Sequence, residues 1–117
     1  MWAVVFYETD SGKIPVKRFI DSLSEFERAR VVRDLKQLEA FGLELKAPLV
    51  RSLGKKLWEL RTTGSNQHRI LYFAVSGRRL VLLHGFTKKT QKTPAAEIEK
   101  ALKRMADYLA RGNKDGR

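Results

Sequence analysis

The sequence predicts an α+β fold in the order β-α-α-β-β-β-α, an antiparallel sheet packed against helices. Three observations carry this. An aromatic and β-branched run opens the chain at 2–7, and two helical patterns follow it. Three strand-like runs then come in succession, at 57–61, 68–75 and 80–83. A third helical pattern closes the chain after Pro94. Strands gathered together, rather than alternating with helices, mark the α+β class, here with a sheet expected to be covered on one face.

Trp2 to Tyr7 combine aromatic and β-branched side chains and read as a first strand. Asp10-Ser11-Gly12-Lys13 is a turn. Pro15 suits the first helical position, because its missing N–H has no intrahelical partner there anyway. Val16, Phe19, Ile20 and Leu23 then mark one face of a short helix. Ser24 to Glu27 forms a capping box: the serine hydroxyl can accept the Glu27 N–H, and the glutamate can reach back. In the longer helix that follows, Ala29, Val32, Leu35 and Leu38 share a face. Gly42 supplies a stop at positive φ. The two helices read as an antiparallel hairpin.

Residues 43–54 read as a connector around Pro48, partly extended. In the strand around Trp58, period-two alternation puts Trp58 and Leu60 on one face, with Glu59 and Arg61 on the solvent side. The run 63–66 turns the chain. The runs 70–75 and 80–83 are apolar on both faces and read as interior strands, joined at Ser76-Gly77. Thr93 is the expected cap of the last helix, with Pro94 at its first position. Ile98, Leu102, Met105 and Leu109 form its apolar stripe, and Gly112 ends it. Residues 1–112 thus read as one domain and 113–117 as a flexible tail.

Charge narrows the function classes. The net charge is +11, and between Lys55 and Lys92 there are nine Lys or Arg against one acid, Glu59. A basic field of that density suits a polyanion: nucleic acid, the ribosome or an acidic partner protein. The bases do not lie along one amphipathic helix, which disfavours a membrane surface. No cysteine is present, so disulfides and thiolate metal sites are excluded. Two histidines and scattered acids give no metal-ligand spacing, and no cofactor motif occurs. The N-terminus has no basic region before its short apolar run, so neither a signal peptide nor a membrane span is read, and a cytoplasmic location is expected.

Three segments carry a likeness beyond composition: Leu57-Trp58-Glu59-Leu60-Arg61; His68-Arg69-Ile70-Leu71-Tyr72; and Leu83-His84-Gly85-Phe86-Thr87-Lys88-Lys89-Thr90-Gln91-Lys92-Thr93-Pro94, which runs on to Ala96-Glu97-Ile98-Glu99-Lys100-Ala101. With the helical hairpin before them, they resemble the RelE/ParE superfamily of bacterial toxins, and more closely its HigB-like, phage-derived branch. The resemblance implies a RelE-like fold and a type II toxin–antitoxin pair. It also implies a HigA-like antitoxin with a helix-turn-helix domain, and metal-independent cleavage of mRNA on the ribosome. Arg69 matches the arginine of the second sheet strand in the RelE-like cutters, and Arg61 lies near their basic cluster on the preceding strand. Lys88 and Lys89 fall where the last strand hands over to the last helix. The chain departs from the pattern by carrying Leu57 and Glu59 where some relatives have lysines. It also lacks a clear match to their late tyrosine, since Tyr108 lies well inside the last helix, and it lacks the histidine and aspartate cluster of one HigB type after Phe86.

Cleaving RNA through its own 2′-hydroxyl needs a base, a stabiliser for the crowded phosphate and a donor to the leaving 5′ oxygen. Arginine suits the second task, since its planar donors match phosphate oxygens two at a time. Arg61 and Arg69 can face one another on neighbouring strands, with Glu59 on the same face. The expected catalytic set is therefore Arg69, Arg61, Glu59, Lys88 and His68: Glu59 as candidate base, Arg61, Arg69 and Lys88 or Lys89 holding the phosphate, and His68 as an alternative proton shuttle, since an unperturbed imidazole has a pKa of about 6.5. Lys89, Lys92, Gln91, Lys55 and Lys56 are the expected RNA contacts. Plainer readings stand beside these. Glu59 can be an ion-pair partner of Arg61 or Arg69, Lys88 to Lys92 a solvated loop, His84 a packed core histidine, and Trp58 a core or antitoxin contact. Two rival functions also remain open: a ParE-like inhibitor of DNA gyrase without nuclease chemistry, and a non-enzymatic RNA- or ribosome-binding protein.

Overall fold

A computed structural model describes residues 1–62, 67–89 and 92–112. The elements are β1 (Ala3–Phe6), α1 (Pro15–Asp21), α2 (Glu25–Phe41), a 3-10 turn (Gly42–Glu44), β2 (Val50–Gly54), β3 (Leu57–Arg61), β4 (His68–Val75), β5 (Arg79–Thr87) and α3 (Ala95–Gly112). One five-stranded sheet has the order β1-β5-β4-β3-β2. The α+β class and the packing of sheet against helices are as the sequence predicts, with two differences. Part of the supposed connector, Val50–Gly54, is a fifth strand antiparallel to β3. The opening strand pairs parallel to β5, so the sheet is mixed and antiparallel only from β5 to β2. The expected turn at 63–66 and the tail at 113–117 lie outside the described residues.

Helices cover both sheet faces, not one. On one side Val16 and Ile20 of α1 and Val31, Leu35 and Leu38 of α2 pack on Leu60, Ile70, Tyr72, Leu80 and Leu82. On the other, Ala101, Met105 and Tyr108 of α3 pack on Leu57, Leu71, Phe73, Val81 and Leu83. This follows from strands that are apolar on both faces: each face must lose its water. Tyr7 and Arg111 fasten the far end of α3 to the sheet, the Tyr7 hydroxyl donating to Asp107 at 2.6 Å and Arg111 donating to the Glu8 carbonyl at 2.7 Å.

The helix starts follow the sequence. Pro15 stands at the first turn of α1, and the Ser24 hydroxyl accepts the Glu27 N–H at 3.2 Å. Gly42 ends α2 at φ +52, where a β-carbon would also collide with the Trp2 indole. Two apolar stripes are rotated from the expected ones. Val31 and Leu38 are sealed while Val32 is 40% exposed, and Tyr108 faces inward while Leu109 is exposed. At both places two apolar neighbours competed for one helix face, and periodicity alone does not choose between them.

Gly85 in β5 lets α1 close on the sheet. A β-carbon there would stand 2.5 Å from the Phe19 ring. Gly85→Ala is expected to lower stability by about 1–3 kcal/mol through overpacking. A urea titration should show a lower midpoint, and trimming the ring in the double variant Gly85→Ala, Phe19→Leu should recover part of the loss.

Candidate active site

Strand alternation and register build the site on the α3 face, beyond the N-terminal end of that helix. Arg61 of β3 stands opposite Arg69 of β4, and Glu59 opposite both Leu71 and, across β2, Arg51. Lys88 follows Phe86 by two residues and so points the same way. Its backbone N–H, bonded to the Gln67 carbonyl at 2.6 Å, extends the β4–β5 pairing.

Glu59 is the centre of this group and is fully buried, contrary to the solvent-facing position expected for it. One carboxylate oxygen accepts from Arg51 Nε at 3.0 Å. The other accepts the Thr93 hydroxyl and lies 3.9 Å from Arg69 Nε. Thr93 also meets the Arg51 fork at 3.3 Å. Its hydroxyl is thus spent on Glu59 instead of on a helix-end N–H, and α3 begins at Ala95, one residue later than expected.

Around this one anion stand Arg51, Arg61, Arg69 and Lys88. Arg69 and Lys88 are each only 3% exposed. Arg69 gives its outer nitrogens to the His68 carbonyl at 2.9 Å and to Gln67 Oε1 at 2.7 Å. Arg69 Nε and Lys88 Nζ have no hydrogen-bond acceptor among the described residues. Burial lowers the pKa of both groups. Glu59 opposes that shift, while Arg61 and Arg51 reinforce it. Two buried donors without acceptors, in a cluster with more cations than anions, have the chemistry that an anion would satisfy.

A second buried polar group borders the site. His84 Nε2 lies 2.5 Å from Glu97 Oε1, its Nδ1 3.0 Å from Arg104, and its ring stacks on Phe86 at 5.4 Å. Arginine can only donate, so Nδ1 must be the acceptor and Nε2 must carry the proton toward Glu97. Burial lowers the His84 pKa, with Glu97 opposing and Arg104 and Lys100 reinforcing. The folded value is below the unfolded one, so this contribution to stability is complete above about pH 6.5 and is lost as pH falls toward the folded value. Between pH 7 and 5 the urea midpoint should fall more steeply in the wild type than in His84→Gln.

The expected site residues are thus brought together in part. Arg61, Arg69, Lys88 and Glu59 converge. His68 does not join them: its ring lies on the opposite sheet face, between Thr87 Oγ1 at 3.0 Å and Glu27 Oε1 at 3.2 Å, edge-on to Phe19. Glu27 therefore reaches His68 and does not close the capping box. Lys89 and Lys92 are exposed on the loop beside the pocket, and Gln91 lies outside the described residues. Lys55 and Lys56 sit in the β2–β3 turn, beyond the end of β3 opposite Arg61, and the strand from Leu57 to Arg61 alone rises about 13 Å. Arg78 and Arg79 lie at the far β4–β5 turn, Arg78 over the Trp2 ring. The basic field is therefore narrower than its sequence count suggests. Arg51 and Thr93 were missed. The alternation of β2 would have exposed Arg51, had that segment been read as a strand.

Among the described residues no helix is long and apolar enough to cross a membrane. No curated protein matches the chain. The model of the family described as phage derived protein Gp49-like (DUF891) matches residues 18–106, from α1 through most of α3 and across every residue of the pocket. That family is RelE-like and associated with the toxins of toxin–antitoxin pairs, which makes an antitoxin the partner class. The chain belongs to the phage-derived, Gp49-like family of RelE-like proteins.

Proposed function

We propose that the chain is a HigB-like toxin of a type II pair, a ribosome-dependent mRNA endoribonuclease that works without a metal and is neutralised by a HigA-like antitoxin. The observation that carries this reading is the pair of buried donors, Arg69 Nε and Lys88 Nζ, left without acceptors beside Arg61. A phosphodiester oxygen supplies what they lack. A net charge of +11 suits approach to ribosomal RNA in the cytoplasm.

In this reading the 2′-oxygen attacks phosphorus as its proton is removed. Negative charge builds on the equatorial oxygens against Arg69 and Arg61, and the bond to the 5′ oxygen breaks as that oxygen takes a proton from water. The products are a 2′,3′-cyclic phosphate, which water can open to a 3′-phosphate, and a 5′-hydroxyl. Lys88 is the group best suited to take the 2′ proton, because burial disfavours its ammonium form. Glu59 has both oxygens engaged and serves as the anchor of the cations. Cleavage should then rise with pH until Lys88 has lost its proton, below the ordinary lysine value of 10.5, and Lys88→Arg should remove that rise. Programmed ribosomes carrying labelled mRNA test the reaction. Cyclic-phosphate ends that disappear when the scissile nucleotide is 2′-deoxy are expected. Cleavage that tolerates the deoxy substitution rules the mechanism out.

A further inference from the structure

We propose that Arg51 on edge strand β2 is a further RNA-contacting residue, one that grips the phosphodiester next to the scissile one. This rests on the nuclease reading above. Arg51 is the pocket cation whose side chain opens widely to solvent, at 41% exposure, while its Nε is held by a fully buried carboxylate. Glu59 at 3.0 Å and Thr93 at 3.3 Å fix the plane of the guanidinium from two elements, β3 and the lead-in to α3. The remaining nitrogen, Nη1, has no hydrogen bond among the described residues. An exposed arginine normally loses rotamer freedom when it binds. Here the structure has already ordered it, so a phosphate meets a preorganised donor.

The spacing fits two neighbouring phosphates. Arg51 and Arg69 flank the same carboxylate, one at each oxygen, so their guanidinium groups stand one carboxylate apart. Their strands are separated by β3, two strand spacings or about 10 Å at the backbone. A single RNA strand that fills the buried donors with one phosphate carries its next phosphate out over β2. Thr93 and Glu59 act here as positioning residues, since they reach RNA only through Arg51.

Two measurements test this. The first is binding of a 2′-O-methylated, uncleavable RNA oligonucleotide to the full chain over a range of salt. Arg51→Ala should weaken binding by about five- to tenfold and lower the magnitude of the salt slope by about one, the signature of one lost phosphate contact. Lys103→Gln, which removes one exposed charge from α3, should leave the slope within error. The second is cleavage on programmed ribosomes. Arg51→Ala should raise the half-saturating toxin concentration by about tenfold and change the saturated rate by less than threefold, with Arg51→Lys in between. Equal binding and equal slopes for wild type and Arg51→Ala overturn the assignment while leaving the nuclease reading intact. Wild-type binding without any cleavage sinks the nuclease reading, and the salt slope still decides Arg51. Absence of wild-type binding to the free oligonucleotide hands the decision to the ribosome assay, where an unchanged half-saturating concentration for Arg51→Ala overturns the assignment.

Discussion

Arg69→Ala is expected to reduce mRNA cleavage by about 10²- to 10³-fold, the usual consequence of removing a donor aimed at developing phosphate charge. Growth arrest on induction should be relieved accordingly. The fold should survive, because Glu59 keeps Arg51 and Thr93 as partners after the truncation. Antitoxin binding, followed by co-purification, should therefore persist. Arg69→Lys retains the charge without the planar fork and should recover only a small part of the activity. If Arg69→Ala arrests growth at full strength with normal expression, Arg69 is not in the working site.

Glu59→Leu is expected to give the largest loss of stability. Removing a sealed carboxylate leaves Arg51, Arg69 and Lys88 facing one another with no counter-charge. Breaking such a buried pair costs about 3–5 kcal/mol. Urea unfolding should show this directly, and added phosphate or sulfate should restore part of it by pairing with the orphaned cations. Glu59→Gln separates anchor from base. The amide can still accept from Arg51, so cleavage within about tenfold of wild type marks an anchor. A stable Glu59→Gln protein with cleavage abolished would instead make Glu59 the base.

Much of the geometry of the candidate site was legible in the sequence because β-strand geometry is simple. Period two put Glu59 and Arg61 on one face, and antiparallel pairing brought Arg69 opposite Arg61. What the sequence concealed was depth. Glu59 reads as solvent-facing when only one sheet face is covered, but α3 closes that face and its lead-in brings Thr93 over the carboxylate. The position of α3 over the sheet is a tertiary fact that local pattern does not carry. Arg51 stayed hidden for a local reason. The segment around it contains Pro48 and Gly54 and only three apolar residues after the proline, so its strand character comes from pairing with β3. His68 and Arg69 are sequence neighbours, yet a strand turns neighbours to opposite faces, and the histidine was lost to the helix side.

The central claim is that Arg61, Arg69 and Lys88 form one pocket that grips an RNA phosphate on the translating ribosome. Primer extension on a translated and an untranslated copy of the same transcript, after induction of wild type and of Arg69→Ala, tests it most directly. Codon-positioned 5′ ends are expected only on the translated copy and only with the wild type. Growth arrest with a DNA-damage response and no such ends would contradict the claim and favour a gyrase poison on the same fold.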